Sequence, residues 1–490
     1  MKVLILNGPD DPNIKDRVLV RVDRWPGRKI RRFFKETVIQ VYPIFTSYSL
    51  AVLRREGLTP LFLDSLVEGL DLVQTIDRIG ELEPDLVFLE TSTPSIEADL
   101  ITAKRIKEKF GIQVALIDCH ATYFHNEIIK EPFIDYIIRG EFEMTITHLS
   151  KTIKDGGDLH NVQGVTWKNN IGEIIINPDR ELFEDLDSLP YPARDLVDQS
   201  RYREELCHYK PYFHLWTSRG CPHKCIFCLW PNILYKGKVR FRKVSNVIEE
   251  ISFLKREYGA REIFIYDDTF NLLPKRVEEF CNELLRRNIN IHWLCQFRPD
   301  KNNSPDLFKL MKKSGCRLVV FGVESGSQYL LDHSIRKGLT LDEARNAIRW
   351  CKEAGIEAHL AFVVGVPGET DETIRQTYEF IKEVQPDRFQ VSIATPYPGT
   401  PWYEMIKNQP RDWKDFDANC VASFCENLTA EELENAIHGM YLSYYFTPSK
   451  IIGRILSIRS WDDFLDNWEK LKSFISRYSV AGIRKRSLFH

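Results

Sequence analysis

Short apolar runs recur along the N-terminal part of the chain and are separated by longer segments with a helical period. The runs are 2-KVLILN-7, 60-PLFLD-64, 85-DLVFLE-90, 113-QVALID-118 and 134-IDYIIR-139. Nearly continuous apolar strands that alternate with helices are typical of a parallel sheet covered on both faces. The pattern predicts a Rossmann-like, doubly wound domain over residues 1–154, with its ligand beyond the carboxyl ends of the strands.

The segment 155–205 breaks this alternation. Two runs, 162-VQGVTW-167 and 173-EIIIN-177, are close enough in sequence to form a β-hairpin. The stretch that follows, 184-EDLDSLPYPARDL-196, has the proline and aspartate content of a surface loop. We therefore predict a hairpin and a linker between two larger units.

The alternation of strands and helices resumes after residue 205. The candidate strands are 213-FHLWTS-218, 262-EIFIYD-267, 292-HWLCQF-297, 317-RLVVFG-322, 358-AHLAFVVG-365 and 388-RFQVSIA-394. Six such units predict a partial (β/α)6 barrel of the TIM type over residues 206–400, in which function concentrates at the C-terminal ends of the strands. Residues 401–490 are predicted to be mainly helical, so the fold class is α/β with a helical C-terminal region.

The first barrel helix is predicted over 245-SNVIEEISFLKREYG-259. Ser245 is a suitable N-cap residue, and Gly259 is suited to the position just after a helix end. Ile248 and Ile251 lie three residues apart and are expected on the buried face.

Composition and charge narrow the functional classes. A hydrophobic content of 43% and a charged content of 28% are those of a soluble globular protein. The formal charge of 67 − 70 = −3 gives no basic field for nucleic acid, so we expect no nucleic-acid partner. The N-terminal apolar run is too short for a signal peptide, and no run approaches the roughly 18 apolar residues of a membrane span. Eleven cysteines without a secretion signal suggest a reducing, cytoplasmic location.

A cluster of three cysteines follows the first predicted barrel strand. In 218-SRGCPHKCIFCLWP-231, Cys221, Cys225 and Cys228 have the spacing C-x3-C-x2-C. They could be three core thiols, or a zinc site completed by His223, although structural zinc normally takes four ligands from two separated pairs. A [4Fe-4S] cluster held by three thiolates fits better. It would leave one iron open, and an open coordination position implies chemistry on a bound ligand.

The same motif in the same position resembles that of the radical S-adenosyl-L-methionine (SAM) enzymes. In that family the open iron chelates SAM, and an electron from the cluster cleaves it to methionine and a 5′-deoxyadenosyl radical that abstracts a substrate hydrogen. The resemblance implies that Cys221, Cys225 and Cys228 hold the cluster and that an external electron donor such as ferredoxin or flavodoxin is needed. The alternative class is a non-catalytic iron–sulfur or corrinoid carrier, which would form no 5′-deoxyadenosine.

The resemblance also implies SAM contacts at the ends of the first three barrel strands. Phe227 matches the aromatic residue that lies against the adenine. Asp267 and Asp268, in 266-YDDTF-270, lie where the family contacts the SAM amino end, although the usual glycine-glycine-glutamate is absent. Arg298 is expected either to meet the SAM carboxylate or to be a surface arginine.

Two further strand ends match family positions. Glu324 and Ser325, in 322-GVESGS-327, fit contacts to the ribose or carboxylate of SAM. Gly365, which begins 365-GVPGET-370, is expected to shape a wall close to the nucleoside. The alternative is that the glycines and prolines of these segments serve only the turns.

A Rossmann-like domain before such a barrel resembles the cobalamin-binding class of the family. Thr91, Ser92 and Thr93 would then contact the cobalamin tail, or would only cap the following helix. The chain lacks the D-x-H-x-x-G loop that supplies a histidine ligand, and His120 follows the fourth strand instead. The resemblance therefore implies cobalamin without a histidine on its lower face, or a domain that only covers the barrel mouth.

Within that class, 228-CLWP-231 and 390-QVSIATPYPGT-400 most resemble the hopanoid-biosynthesis-associated, lipid-modifying branch. This resemblance implies hydrogen abstraction from a lipid or lipid headgroup, followed by carbon–carbon bond formation or ring rearrangement. The alternative is cobalamin-dependent methyl transfer to an unactivated carbon. Methyl transfer should give S-adenosylhomocysteine as well as 5′-deoxyadenosine, whereas rearrangement should give only 5′-deoxyadenosine and methionine.

The substrate is therefore expected to be a small molecule or a lipid. The segment 17-RVLVRVDRWPGRKIRRFFK-35 is either a solvated arm or a surface for an anionic or membrane-embedded substrate, which would bring peripheral membrane contact. The remaining cysteines are predicted to be free thiols or small core residues: Cys119, Cys207, Cys281, Cys295, Cys316, Cys351, Cys420 and Cys425.

Overall fold

The computed structural model describes residues 1–9, 18–20, 28–30, 42–202, 204–409, 412–416 and 424–447. Apart from the backbone of two short strands, the basic segment 17–35 lies outside the described residues, as do Cys420 and the chain after residue 447. Predictions that fall on those residues stay predictions.

In the N-terminal part of the chain, the described residues form nine strands and seven α-helices. The strands are β1 (Lys2–Asn7), β2 (Val18–Val20), β3 (Arg28–Ile30), β4 (Thr59–Asp64), β5 (Leu86–Glu90), β6 (Gln113–Ile117), β7 (Tyr136–Ile138), β8 (Val165–Lys168) and β9 (Ile174–Ile176). The helices are α1 (Ile44–Arg55), α2 (Ser65–Glu68), α3 (Leu72–Leu82), α4 (Ile96–Phe110), α5 (Cys119–Tyr123), α6 (His125–Ile128) and α7 (Glu143–Lys154).

Seven of these strands form one sheet in the order β4-β1-β5-β6-β7-β8-β9. Strands β4, β1, β5, β6 and β7 are parallel, and their order is that of a flavodoxin-like doubly wound domain. The strand order reverses between β1 and β5, which is where such folds open a crevice for ligands. The predicted doubly wound domain is therefore confirmed, and Asn7 and Glu90 lie at the edge of its crevice.

The predicted hairpin is present and extends this sheet. β8 pairs antiparallel with β7, where Ile137 lies opposite Thr166, and β9 pairs antiparallel with β8. The sheet of the N-terminal domain therefore continues past residue 154, where the predicted domain ends. The linker that follows lies along α1, where Asp195 forms an ion pair with Arg54 at 2.7 Å.

The second half of the chain forms the barrel and its C-terminal extension. The strands are β10 (Tyr212–Leu215), β11 (Ser218–Arg219), β12 (Arg240–Phe241), β13 (Glu262–Ile265), β14 (His292–Phe297), β15 (Cys316–Glu324), β16 (Glu357–Val364) and β17 (Arg388–Ile393). The helices are α8 (Trp230–Ile233), α9 (Val244–Tyr258), α10 (Pro274–Arg286), α11 (Pro305–Lys313), α12 (Leu341–Glu353), α13 (Asp371–Val384), α14 (Pro401–Ile406) and α15 (Ala430–Tyr445).

Six parallel strands form the barrel sheet in the order β10-β13-β14-β15-β16-β17. This is the predicted partial barrel, with a strand at each of the six predicted positions. Because all six strands run the same way, their carboxyl ends meet at one face, and the loops that follow them lie together.

The predicted start of the first barrel helix is wrong by two residues. Helix α9 begins at Val244, and Lys243 rather than Ser245 occupies the N-cap position without a side-chain cap. A carboxylate from the linker replaces the local cap, because the Lys243 backbone N–H donates to Asp187 at 2.9 Å. The helix end is as predicted, since Gly259 follows it with φ +63°.

The helical C-terminal extension covers the free edge of the barrel sheet. Edge strand β17 has backbone N–H groups without a neighbouring strand, and such edges need other partners. The Val391 N–H donates to the Tyr441 hydroxyl at 3.0 Å, and the Phe389 N–H donates to the Tyr445 hydroxyl at 3.1 Å. Tyrosine hydroxyls of helix α15 thus accept hydrogen bonds from two backbone N–H groups of the edge strand β17.

Aromatic side chains join the N-terminal domain to the loop that carries the three cysteines. Phe45 on α1 contacts Trp216, with ring centroids 3.5 Å apart, and Trp230 of the cysteine loop, with centroids 4.7 Å apart. All three rings are buried. The cysteine loop is therefore packed against the N-terminal domain as well as against the barrel.

Candidate functional site

The cysteine loop comprises residues 220–239 and is closed at its base by a two-stranded ribbon. In this ribbon β11 pairs antiparallel with β12, and Arg219 lies opposite Arg240. The Gly220 N–H donates to the Asp268 carboxylate at 2.9 Å, and the Cys221 thiol lies 3.5 Å from the Thr269 hydroxyl. The loop following the second barrel strand thus fixes the position where the cysteine motif begins.

The middle of the loop is fixed by backbone hydrogen bonds to two other strand-end segments. The Ile226 N–H donates to the Ile335 carbonyl at 3.2 Å, and the Ile226 carbonyl accepts from the Trp402 N–H at 3.2 Å. Ile335 follows β15 and Trp402 follows β17 in the chain. Cys225 and Cys228 therefore lie on a loop held by the carboxyl ends of distant barrel strands.

The environment of the three thiols suits an anionic metal–sulfur centre. Cys225 is buried, and Cys221 and Cys228 are partly buried. Burial raises the pKa of Cys221 above its ordinary value, so a metal would have to displace its proton. A compensating cation is buried nearby: burial lowers the pKa of Lys337, but the fields of Glu324 and Cys225 raise it above its ordinary value, so the ammonium stays charged.

These residues fit a cubane iron–sulfur cluster by the chemistry of their donors. The three thiols lie on one held loop with a buried ammonium nearby, and thiolates are the ligands that iron–sulfur clusters take. Among the residues that the structure describes, no group of three or more histidine, cysteine, aspartate or glutamate side chains converges in metal-binding geometry. When bound, the cluster would supply an electron to SAM, and Cys221, Cys225 and Cys228 would hold it.

The two predicted aspartates after the second barrel strand have protein partners. Asp267 is buried and accepts hydrogen bonds from the Thr217 N–H at 2.7 Å and from the hydroxyls of Thr217 and Ser218. Burial raises the pKa of Asp267, and nearby Arg276 opposes that effect. Asp267 therefore positions the strand end that leads into the cysteine loop, and Asp268 contacts the loop itself.

Arg298 and Glu324 lie on either side of the buried Lys337. The Arg298 guanidinium donates to the carbonyls of Lys337 and Gly338 and forms an ion pair with Asp300 at 3.0 Å. Glu324 has a positive φ of +75° and forms an ion pair with the Lys337 ammonium at 3.0 Å. The structure thus brings these two predicted residues together around a lysine that the sequence pattern did not identify.

The remaining predicted barrel residues lie at separate strand ends. Phe227 is partly buried and packs against the core that joins the two domains. Ser325 is buried, and its hydroxyl accepts from the Ser327 N–H at 3.1 Å. A Cβ on Gly365, which has φ +83°, would lie 2.9 Å from Leu433 of α15. Gly365 therefore makes room for the C-terminal helix.

A buried carboxyl group that the sequence pattern did not single out follows Gly365. Glu369 is 1% exposed, accepts from the Gly365 N–H at 3.2 Å and also accepts from the Thr373 hydroxyl. Burial raises the pKa of Glu369 from its ordinary 4.5 to about 7. The Glu369 side chain thus lies at the carboxyl end of the fifth barrel strand, and its burial favours the protonated form.

We expect Glu369→Gln to remove one component of the pH dependence of stability. Because the folded-state pKa of Glu369 is raised, its stabilising contribution is complete below pH 4.5 and is lost as the pH rises through about 7. Glutamine mimics the neutral acid, so the variant should gain roughly 3 kcal/mol relative to wild type between pH 4.5 and pH 8. Urea unfolding midpoints at both pH values measure the difference.

The matched control is Glu372→Gln, three residues later in the first turn of α13. Glu372 is exposed, and its hydrogen bond from Arg375 lowers its pKa. Its substitution should not make the protein more stable at pH 8. Equal pH profiles for Glu369→Gln and wild type would contradict the assigned pKa shift.

The predicted contact segment of the N-terminal domain is internally hydrogen bonded. The Thr91 hydroxyl donates to Asp99 at 2.8 Å, Ser92 shares a hydrogen bond with Ser95 at 2.8 Å, and Thr93 lies 3.1 Å from a ring nitrogen of His120. The backbone N–H of Ser92 also donates to Ser95, which forms a capping box. These hydroxyls therefore cap the turn that opens α4.

His120 is buried between aromatic rings. Its ring contacts Phe124 and Trp413, with centroids 4.9 and 5.1 Å apart. Burial lowers the pKa of His120 to about 3, so the ring is neutral. Cobalamin without a histidine on its lower face stays a prediction.

Acidic side chains line the carboxyl ends of the central strands of the N-terminal sheet. Glu90 is buried at the end of β5 and accepts from the Thr46 hydroxyl at 3.0 Å. Asp118 follows β6 with φ +87°, and burial together with the field of Glu90 raises its pKa. A polar crevice edge of this kind fits a cofactor bound at the switch point between β1 and β5.

No helix in the described part of the chain is both long and apolar enough to cross a bilayer.

Comparisons with known proteins agree with this geometry. The model of the radical SAM superfamily matches residues 217–381. Uncharacterized methyltransferase PH0819 of Pyrococcus horikoshii is 31% identical over 417 residues, which are 84% of this chain and 89% of that protein. The anaerobic magnesium-protoporphyrin IX monomethyl ester cyclase of Rubrivivax gelatinosus is 29% identical over 369 residues, which are 73% of this chain and 64% of that protein.

The fold also matches a solved structure. The radical SAM methyltransferase TsrM from Kitasatospora setae, determined with cobalamin and a [4Fe-4S] cluster bound, superposes with a TM-score of 0.63 at 18% identity. The match covers 83% of this chain and 75% of that chain. The order of the domains, the cysteine motif at the first barrel strand and the similarity over most of the chain lead to one conclusion: the chain belongs to the radical SAM superfamily of enzymes, which use a [4Fe-4S] cluster and SAM.

Proposed function

We propose that the protein is a cobalamin-dependent radical SAM methyltransferase that acts on an unactivated carbon of a small molecule. The supporting observation is the direct contact between the carboxyl edge of the N-terminal sheet and the cysteine loop. Glu141 follows β7, and its carboxylate accepts two hydrogen bonds of 2.7 Å from the Arg240 guanidinium at the base of that loop. The two proposed cofactor sites would therefore face each other across one interface.

The residues of the chain would divide the work between the two sites. Cys221, Cys225 and Cys228 would hold the cluster, and the buried Lys337 ammonium would offset its negative charge. The crevice between β1 and β5 would hold cobalamin, which accepts and passes on a methyl group when bound. The similarity to the Pyrococcus methyltransferase and to the cobalamin-containing TsrM structure supports this division.

The SAM contacts predicted from the sequence are part of the proposal. Asp268 and Phe227 lie on or against the cysteine loop, which supports a place for them beside SAM. Arg298 and Glu324, which both contact the segment 337–338, would contact the polar end of SAM. An electron donor such as ferredoxin or flavodoxin would reduce the cluster.

The products formed from SAM test the proposed reaction. The protein is purified without oxygen, reconstituted with iron, sulfide and cobalamin, reduced and supplied with SAM in the absence of substrate. We expect S-adenosylhomocysteine in an amount equal to the bound cobalt, which a metal analysis and the visible spectrum quantify. A protein that binds cobalamin and forms 5′-deoxyadenosine but no S-adenosylhomocysteine would disprove methyl transfer.

Carbon–carbon bond formation is the second candidate function. The similarity to the magnesium-protoporphyrin cyclase, whose name denotes ring closure, favours it. It would use the same cysteine loop and give 5′-deoxyadenosine without S-adenosylhomocysteine. The lipid substrate predicted from 228-CLWP-231 and 390-QVSIATPYPGT-400 belongs to this second candidate, as does the peripheral membrane contact predicted from the basic segment 17–35.

A further inference from the structure

Both ends of the cysteine loop are held by one carboxylate from the N-terminal domain. Arg219 immediately precedes the loop and Arg240 immediately follows it, and the two residues are paired in the ribbon at its base. The Glu141 carboxylate accepts from Arg240 through both of its oxygens at 2.7 Å and from Arg219 at 3.1 Å. A two-pronged arginine–carboxylate contact fixes direction as well as distance.

The group around Glu141 is buried and combines two arginines with two carboxyl groups. The side chains of Arg219 and Arg240 are 5% and 3% exposed, and that of Glu141 is 8% exposed. Glu143 supplies a second carboxylate, 2.7 Å from the other side of Arg219. Burial would raise the pKa of Glu141, but the hydrogen bond from Arg240 and the field of Arg219 lower it, so this carboxylate stays charged.

The N-terminal domain also holds Arg219 through aromatic rings. Its guanidinium lies 4.8 Å from the ring centroid of Phe45 and 5.4 Å from that of Tyr48, both on α1, and 5.2 Å from that of Trp216. Cation–π contacts of this kind add to the ion pairs. Arg219, which lies two residues before Cys221, is therefore held by two rings of the N-terminal domain as well as by Trp216 and the ribbon at the base of the loop.

We propose that Glu141 is a positioning residue that fixes the cysteine loop, and the cluster on it, relative to the cofactor crevice of the N-terminal sheet. The inference depends on the proposed methyl transfer, which needs the two cofactor sites at a fixed distance and orientation. SAM cleavage needs only the barrel side of the interface. Loss of the Glu141 charge should therefore slow methyl transfer much more than SAM cleavage.

The test compares Glu141→Gln with wild type after anaerobic reconstitution with the cluster and cobalamin. Glutamine keeps the shape of the side chain but removes the charge that both arginines share. We expect 5′-deoxyadenosine formation per cluster to change by less than about threefold. S-adenosylhomocysteine formation should fall by roughly tenfold or more, because small displacements of reacting groups cost about two orders of magnitude.

Two further variants are expected to give smaller losses of S-adenosylhomocysteine formation than Glu141→Gln. Glu143→Gln removes a carboxylate that contacts Arg219 but not Arg240, so its loss of S-adenosylhomocysteine formation should be smaller than that of Glu141→Gln. Glu141→Asp keeps the charge and shortens the side chain. If Glu141→Gln does not fold, Glu141→Asp should show the same separation of the two products to a smaller extent.

The outcomes that overturn the inference are distinct from those that overturn the proposed function. Parallel loss of both products in proportion to lost cluster iron, or no loss of either, would show that Glu141 does not position the loop for methyl transfer. If wild type forms 5′-deoxyadenosine but no S-adenosylhomocysteine, the proposed function fails. Amide hydrogen exchange over residues 218–241 then decides: faster exchange in Glu141→Gln than in Glu143→Gln supports positioning, and equal exchange refutes it.

Discussion

Replacing Cys225 with alanine is expected to abolish both cluster assembly and SAM cleavage. Cys225 is the buried member of the three cysteines and lies in the field of the Lys337 ammonium. A four-iron cluster with one open iron needs all three thiolates, and alanine provides no donor. Iron and sulfide content, the electron paramagnetic resonance signal of the reduced protein and the yield of 5′-deoxyadenosine measure the loss. Cys221→Ala and Cys228→Ala should behave in the same way.

Cys207→Ala is the matched control for this prediction. Cys207 is a free thiol and is partly exposed, as Cys221 and Cys228 are, but it lies before the first barrel strand and not in the cysteine loop. Burial raises the pKa of its thiol well above the ordinary value, as it raises that of Cys221, but Cys207 is 14 residues from the nearest cysteine in the sequence and is not part of the C-x3-C-x2-C motif. The control should keep its iron and its SAM cleavage. Wild-type amounts of 5′-deoxyadenosine from Cys225→Ala would show that the ligands are assigned incorrectly.

The sequence pattern was sufficient to predict the parallel strands of the two large sheets, because buried parallel strands are nearly uniformly apolar. It did not predict the short strands β2, β3, β11 and β12. The runs at 2–7 and 292–297 coincide with β1 and β14. The same pattern could not place the start of α9, because the group that caps it is Asp187, 56 residues earlier in the chain. Local propensity predicts an element, whereas contacts distant in sequence can decide where it begins.

The cysteine motif and its strand-end context could be predicted because their spacing carries the chemistry. The partners of the predicted residues could not. Asp267 binds the strand that leads into the cysteine loop, and Arg298 binds the carbonyls of residues 337 and 338. Glu141 lies 78 residues from Arg219 and 99 residues from Arg240. Nothing in the local sequence around Glu141 indicates that the fold brings these charges together.

Gly220→Ala is expected to disrupt the base of the cysteine loop. Gly220 has φ +93°, and an added Cβ would lie 2.0 Å from the carbonyl oxygen of Lys238 and 3.4 Å from the side chain of Tyr235. The Lys238 oxygen belongs to the backbone, so it can move only if the ribbon at the base of the loop opens. The backbone strain and the clash together should cost at least about 3 kcal/mol. The denaturation midpoint should fall, and the iron bound after reconstitution should fall with it.

Gly237→Ala separates the effect of the clash from that of backbone strain. Gly237 lies in the same loop with φ +73°, but an added Cβ would have no heavy atom within 4 Å. Its substitution should cost roughly 1 kcal/mol, from the left-handed conformation alone, and leave iron binding intact. The difference between the two variants arises at Lys238, next to the strand that carries Arg240, which Glu141 binds from the other domain. If the two variants bound iron equally, the close approach of Lys238 to Gly220 would not be what holds Cys221 in place.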